Sequence, residues 1–288
     1  MKKHVISCIA FLFFIAVGSQ AQLCWKVSGN GLEKSSYLFG THHIIDCNTL
    51  PHFRDILKLC VTSEAVVGEL VLDSSLNEAI IQGVSMNGKS LSNLLTPDEY
   101  KRVDAEMLRV MGAGLDLLNG MKPLYVSSIY SVMSYMQSLG ISEQPISIDE
   151  LFQQKGKENG LKLIGLETPK EQLDLLYNSI PVERQAKMLV EAICEKGETT
   201  NQAKQLNDAY LAGDLKVIEK IAKGEQWTPE EKALFADDRN EKWMNELPEM
   251  LKDQSCFVAV GCLHLVGETG LINQLRQAGY SVEPMQFN

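Results

Sequence analysis

The stretch YLFGTHH, residues 37–43, joins an apolar, β-prone run to a glycine and a pair of histidines. A second apolar run, CFVAV at residues 256–260, continues into GCLH and also ends in a histidine. Both stretches consist of an apolar run followed by G-x-x-H, which delivers His43 and His264. Because short runs rich in β-branched and aromatic residues predict strands, we expect both histidines at the ends of strands.

Two carboxylates follow apolar runs in a similar way. Residues 65–68, AVVG, predict a buried strand that leads to Glu69, and residues 161–166, LKLIGL, predict a short apolar strand that leads to Glu167. In open α/β sheets, ligands gather beyond the carboxyl ends of the strands. The sequence therefore predicts that two histidines and two glutamates occupy strand ends where a ligand could bind.

The segments next to these strands predict the rest of one sheet. Residues 23–28 and 36–39 flank the turn Gly-Asn-Gly, which is typical of a β-hairpin. Residues 53–59 predict a short helix, and residues 280–284 predict the last strand. The first strands therefore form a unit of hairpin, helix and strand.

The central part of the chain, residues 74–251, has mainly helical patterns. Thr96 and Thr228 each precede a proline and have a glutamate three positions later, which predicts a capped helix start. No linker rich in Gly, Ser or Pro divides the chain. We predict an α/β fold whose central β-sheet is formed from two repeated halves and surrounded by many helices, in a single domain of residues 22–288.

The N-terminus has the pattern of a secretory signal peptide. A short basic start precedes an apolar core, and small residues follow that core in residues 1–21. The core is shorter than the roughly 20 residues that a membrane-spanning helix needs, and no later run is long enough. We therefore predict that residues 1–21 are removed and that the mature protein is secreted or periplasmic, with no membrane span.

Composition excludes several classes of function. The formal net charge of -10 and the lack of clustered Lys and Arg argue against binding to nucleic acid. The sequence contains no G-x-S-x-G elbow of a serine hydrolase. Six cysteines follow the signal peptide; some could pair in an oxidising compartment, but spacing does not give the connectivity.

The two histidines and two glutamates make a candidate metal or acid/base site. Imidazole nitrogen and carboxylate oxygen suit divalent Mn, Co, Zn or Fe, and a metal with open coordination positions lowers the pKa of bound water. We therefore expect His43, His264, Glu69 and Glu167 to bind a divalent metal. Their spacing alone does not exclude the alternative of separate polar residues at strand ends.

Other residues have two interpretations each. His42 could be a second ligand or an orienting group, and His52 is expected at the surface. Arg239 and Asn240 either lie on a solvated helix face or hold a substrate carboxylate or a transition-state oxyanion. Cys262 lies inside the second G-x-x-H motif and is expected to be a small buried residue.

These residues resemble the motifs of the TraB/GumN family of exported bacterial proteins. That family is similar in turn to the Tiki metalloproteases, and more distantly to ChaN-like haem-binding lipoproteins and erythromycin esterase-like hydrolases. The resemblance spans nearly the whole mature chain and rests on residues 37–43, 67–70, 149–152, 165–169 with Gln172, 239–240, and 260–267 with 280–284.

The resemblance implies a role for each matching residue. His43 and His264 would be the metal-binding histidines, with Glu69 or Glu167 as a further ligand and the other glutamate as general base. Arg239 and Asn240 would lie beside the site and stabilise the oxyanion or the substrate. The implied function is an exported metal-dependent hydrolase, with peptidase the preferred activity on a peptide or small-molecule substrate. Two alternatives stay open: a non-catalytic protein that binds a peptide or haem, and an envelope protein in which these residues only stabilise the fold.

Overall fold

The fold is known from a computed structural model, which describes residues 23–195, 199–222 and 228–287. The predicted signal peptide, residues 1–21, lies outside the described residues. The strands are β1 Cys24–Ser28, β2 Ser36–Thr41, β3 Ala65–Gly68, β4 Lys162–Gly165, β5 Cys256–Gly261 and β6 Ser281–Pro284. The first helices are α1 Phe53–Thr62, α2 Ser74–Gly83, α3 Leu91–Leu94, α4 Pro97–Met111, α5 Pro123–Ser138, α6 Ile148–Glu158, α7 Pro169–Asn178 and α8 Val182–Val190. The later ones are α9 Thr199–Leu211, α10 Leu215–Ala222, α11 Pro229–Lys232, α12 Asp238–Met244, α13 Leu247–Asp253 and α14 Leu271–Gln277.

The six strands form one mixed sheet in the order β4-β3-β5-β2-β1-β6. Strands β4, β3, β5 and β2 are parallel, whereas β1 pairs antiparallel with both β2 and β6. The predicted hairpin, α1 and the last strand are all confirmed. The structure thus confirms the α/β fold with a central sheet surrounded by helices.

Both faces of the sheet are covered by helices. Along β5, Cys256, Val258 and Val260 pack with helices α12 to α14 on one face, whereas Phe257 and Ala259 pack with α1 and α6 on the other. Successive residues of a strand point to opposite faces, so an unbroken apolar strand fits a sheet that is covered on both sides. Helices α3, α4, α5 and α8 form a further apolar cluster of their own.

The two G-x-x-H stretches lie side by side, because β2 pairs directly with β5. Thr41 is opposite Gly261 in the register, and Gly40 is opposite Val260. A Cβ atom on Gly40 would lie 2.8 Å from Leu265 Cδ1 and 3.0 Å from Cys262 Cα. Glycine is therefore needed where the first motif approaches the second.

Helix starts follow the sequence signals closely. Thr96, Thr168 and Thr228 each form a capping box with the glutamate three residues later, and proline follows each threonine. Thr168 is the N-cap of helix α7, so this helix begins directly after Glu167. None of the helices in the described ranges has the length and hydrophobicity that crossing a bilayer requires.

Candidate functional site

Four adjacent parallel strands end at one edge of the sheet, and each is followed by a predicted site residue. In the order of the strands, β4 is followed by Glu167, β3 by Glu69, β5 by His264 and β2 by His43. Parallel strands bring their carboxyl ends to the same edge. The chain therefore presents two glutamates and two histidines in line, although they are far apart in sequence.

Arg239, on helix α12, joins three of these residues. Its Nε and Nη2 atoms donate to the two oxygens of Glu167, each at 2.9 Å. Nη2 also donates to Glu69 Oε2 at 2.6 Å, and Nη1 lies 3.1 Å from His264 Nε2. Such bidentate, charge-assisted hydrogen bonds are among the strongest in proteins. The guanidinium therefore links the glutamate end of the row to the histidine end.

Arg239 and Asn240 are both buried, so the alternative of a solvated helix face is wrong. The fifth N–H of Arg239 is directed from Nη1 to the carbonyl of Phe235 at 3.4 Å, so all five donors of the guanidinium have acceptors. Asn240 Nδ2 donates to the carbonyls of His264 and Thr269 at 3.1 and 2.9 Å. Both side chains are thus fully engaged within the protein.

The hydrogen bonds of Asn240 fix the tautomer of His264. Because Asn240 Nδ2 donates to two carbonyls, its Oδ1 must accept from His264 Nδ1, which lies 2.8 Å away. His264 Nε2 then carries the lone pair, facing Arg239. Burial, supported by the charge of Arg239, lowers the pKa of His264 to about 4. The imidazole is therefore neutral near pH 7, with Trp243 packed 4.5 Å from it between ring centroids.

His43 has a corresponding arrangement on the neighbouring strand. Its Nδ1 lies 3.0 Å from Asp149 Oδ2, and Thr41 donates to the other oxygen of Asp149 at 2.7 Å. The hydrogen bond that His43 donates to Asp149 is the largest of the effects that raise the pKa of His43. In contrast to His264, the His43 side chain is 67% exposed. Both G-x-x-H histidines thus have Nδ1 tethered to an oxygen from a helix, and Nε2 of His264 in addition faces Arg239.

Glu69 lies between the two histidine strands and the glutamate strand. Its Oε1 accepts from the backbone N–H of Gly261 at 2.9 Å and lies 3.8 Å from His264 Nε2. Its Oε2 accepts from Gln172 at 3.0 Å as well as from Arg239. Burial works to raise the pKa of Glu69, but the interactions with His264, Arg239 and His43 outweigh it and lower the pKa to about 2. The carboxylate is therefore ionised.

A pocket of about 430 Å³ opens over this row. His43, His264, Glu69 and Arg239 all line it. Glu167 does not line it; its side chain is only 4% exposed, and Oε1 also accepts from Trp243 Nε1 at 3.2 Å. The two glutamates therefore differ in access, since a bound molecule can contact Glu69 directly and Glu167 only through Arg239 or Gln172.

The other residues singled out in the sequence are His42, His52 and the cysteines. His42 also lines it and packs between two tyrosine rings, with centroids 5.8 Å from Tyr135 and 5.3 Å from Tyr210. His52 is exposed, as predicted, and Cys262 is buried, also as predicted. None of the six cysteines within the described ranges is in a disulfide.

The structure adds partners to which sequence patterns assigned no role. Asp149, Gln172 and Trp243 contact the predicted site residues directly, and Thr41 contacts Asp149. Asp149 and Gln172 come from helices α6 and α7, and both belong to the stretches that carry the family resemblance, which gave them no individual role. Among the described residues, no group of three or more His, Cys, Asp and Glu side chains is arranged as a metal-binding cluster. The predicted divalent metal therefore stays a prediction.

Fold and site together define an α/β protein with a row of glutamate and histidine side chains across the ends of four parallel strands. A family model for the TraB/PrgY/gumN family matches residues 23–284. The chain therefore belongs to the TraB/PrgY/gumN family. No curated protein and no solved structure matches the chain.

Proposed function

We propose that this chain is a metal-dependent hydrolase, with peptide bonds as its preferred substrate. The observation that carries the proposal is the shared tethering of His43 and His264. Each Nδ1 is held by an oxygen of a helix residue, Asp149 or Asn240, and each histidine lines the same pocket as Glu69. Histidines that bind metals in proteins are almost always oriented in this way by a hydrogen bond at the other ring nitrogen.

The donor atoms suit a divalent ion. His43 would offer Nε2, His264 would offer Nε2 in place of its hydrogen bond with Arg239 Nη1, and Glu69 would offer Oε1, which lies 3.8 Å from His264 Nε2. Two imidazoles and a carboxylate are a common set for Zn and also suit Mn, Co or Fe. An ion held there would act as a Lewis acid on the substrate carbonyl and make water acidic enough to react near neutral pH.

The structure favours different roles for the two glutamates. Glu69 lines the pocket, so we assign to it the contact with the ion or with the reacting water. Both oxygens of Glu167 are bonded to Arg239, so we assign to it the task of holding that side chain. Since four of the five N–H groups of Arg239 and both N–H groups of Asn240 bond to protein oxygens, we propose that these residues position Glu69 and His264 rather than bind an oxyanion.

The test compares metal binding by matched histidine variants. Wild type, a His43→Ala, His264→Ala double variant and His52→Ala would be purified from residue 22 onward and offered Mn, Co, Zn and Fe in turn. An ion at 100 times its Kd stabilises a protein by about 2.7 kcal/mol, which raises Tm by several degrees at this size. We expect that shift for wild type and for His52→Ala, whose histidine is exposed outside the pocket, and none for the double variant.

Hydrolysis is tested on the same proteins with a peptide mixture analysed by mass spectrometry. Cleavage that a chelator stops, that a metal restores and that the double variant lacks would support the proposal. Cleavage by the double variant would overturn it. Peptide capture without cleavage, or a haem absorption band that disappears in His43→Ala, would instead favour the non-catalytic binding protein.

Export is a further part of the proposal. The basic and apolar pattern of residues 1–21 supports removal of a signal peptide and a secreted or periplasmic location. Cell fractionation and N-terminal sequencing of the native protein test this directly. A mature protein that retains Met1 and stays in the cytoplasm would contradict it.

A further inference from the structure

The pocket over the site has walls that are mainly aliphatic. The residues that supply them come from the loops after β2, β3 and β5 and from helices α7 and α9: Ile44, Leu70, Leu72, Leu176, Leu206 and Leu263. At least five chain segments therefore contribute apolar side chains to one cavity of about 430 Å³. A cavity of this size can hold one or two amino-acid side chains together with the bond that joins them.

The charged groups that line this pocket are already paired. Arg239 is the sole Lys or Arg side chain among the described residues of the lining, and all five of its N–H groups have acceptors. Both oxygens of Glu69 accept hydrogen bonds, and so do both oxygens of Asp149. A charged substituent on a ligand would therefore have to displace an internal partner before it could pair with Arg239, Glu69 or Asp149.

Two leucines of the lining are unusually accessible. Leu72 is 38% exposed and Leu263 is 39% exposed, in a chain where most large apolar side chains are buried. Leu72 is three residues after Glu69, and Leu263 directly precedes His264. Both leucines line the same pocket as Glu69 and His264, so a ligand group that covers them shares the pocket with those side chains.

We infer that Leu72 and Leu263 form a specificity subsite that selects an uncharged aliphatic side chain beside the bond that is cleaved. This inference rests on the proposed hydrolase function. Burial of an aliphatic side chain is favourable in proportion to the apolar area removed from water, and burial of an unpaired charge is strongly unfavourable. Together these effects give a preference of about 10-fold to 100-fold for leucine over a charged residue.

The experiment uses blocked peptides that differ only at the residues flanking the cleaved bond, with Leu, Ala, Asp or Lys. The metal-loaded wild type, Leu72→Ser, Leu263→Ser and the control Leu117→Ser would be compared by kcat/KM. Leu117 is 75% exposed and does not line the pocket. We expect the Leu peptide to exceed the Asp peptide by at least 10-fold in wild type and Leu117→Ser, and the ratio to fall about 10-fold in each of the other variants.

A gain of activity provides a second check. Leu72→Lys places a cation at the pocket, so it should raise kcat/KM for the Asp peptide and lower it for the Lys peptide. The subsite would be overturned if wild type cleaved the four peptides equally, or if the ratio of kcat/KM for the Leu and Asp peptides were unchanged in the Leu72 and Leu263 variants. Neither result would contradict the hydrolase function.

Ligand binding tests the subsite separately from the hydrolase function when no peptide is cleaved. If no peptide is cleaved, the proposed function fails, and the subsite is then tested with N-acetyl-leucine amide and N-acetyl-aspartate amide by NMR titration. Tighter binding of the leucine compound, lost in Leu263→Ser, would support the subsite. Equal binding of both compounds would overturn it.

Discussion

Arg239 and Glu167 form a two-bond ion pair, with Nε to Oε1 and Nη2 to Oε2 both at 2.9 Å. The two side chains are only 7% and 4% exposed. The same guanidinium reaches Glu69 and His264, so it connects the ends of strands β4, β3 and β5. A buried cation that serves two carboxylates cannot be removed without leaving charge unpaired.

Arg239→Leu should therefore destabilise the fold strongly. Breaking a buried ion pair by removing one partner costs about 3–5 kcal/mol, and we expect a loss of that size in the free energy of unfolding by urea. Lys242→Ala is the matched control, since Lys242 lies on the same helix but forms an exposed pair with Glu171. Exposed pairs contribute up to about 1 kcal/mol. Similar losses in the two variants would contradict the assigned role of Arg239.

Sequence patterns were sufficient for the elements that carry the site. The apolar runs that lead to His43, Glu69, Glu167 and His264 correspond to four neighbouring parallel strands, because strands of a sheet that is covered on both faces require continuous apolar sequence. The capped helix starts at Thr96 and Thr228 could also be predicted, since a capping box involves only four consecutive residues.

The order of the strands and the contacts between side chains could not be predicted from local sequence patterns. Nothing local in the sequence states that β5 lies between β3 and β2, and this order is what puts His264 next to Glu69. Arg239 looked the same as a residue on a solvated helix face, because its acceptors come from strands 72 and 170 positions away. Asp149 and Gln172 likewise depend on long-range packing of helices α6 and α7.

Asp149 should matter for metal binding through His43. Replacing a group that orients a metal-binding histidine typically lowers metal affinity by about 10-fold to 100-fold. We therefore expect Asp149→Ala to weaken binding of the preferred metal by that factor in calorimetric titration. Glu150→Gln is the control, because Glu150 is the adjacent exposed residue on the same helix. Equal affinity in Asp149→Ala and wild type would show that Asp149 does not orient a ligand.

Glu64 should give the fold a pH-dependent contribution outside the pocket. The hydrogen bond from Lys34, and bonds from Ser255, lower the pKa of Glu64 from 4.5 to about 2. Between these values the unfolded chain binds the proton more tightly, so the contribution is present above about pH 4.5 and is lost as pH falls towards 2. The difference in unfolding free energy between wild type and Glu64→Gln should therefore shrink between pH 5 and pH 2.

Urea unfolding at several pH values across this range measures that difference. In a Lys34→Gln background the largest cause of the lowered pKa is absent, so the difference should shrink at a higher pH. A difference that stays constant from neutral to acidic pH would show that Glu64 has the same pKa in the folded and unfolded chains.

On the proposed hydrolase function, substitution of Glu69 should mainly lower activity, and substitution of Glu167 should mainly lower stability. Glu69 lines the pocket, whereas Glu167 lies beneath it against Arg239. Glutamine has nearly the same shape as glutamate but lacks its charge and its basicity. Glu69→Gln should therefore lower kcat by about 100-fold or more, the range for loss of a group that transfers a proton, while the protein still folds.

Glu167→Gln should lower the stability of the fold more than it lowers kcat. It leaves Arg239 without its two-bond partner, so we expect a loss of roughly 3–5 kcal/mol in the free energy of unfolding and a smaller decrease in kcat for the fraction that folds. Both variants would be compared by urea unfolding and by cleavage of the same peptide at saturating metal. If Glu167→Gln abolishes cleavage while retaining full stability, Glu167 is the reacting carboxylate and the assignment of the two glutamates must be exchanged.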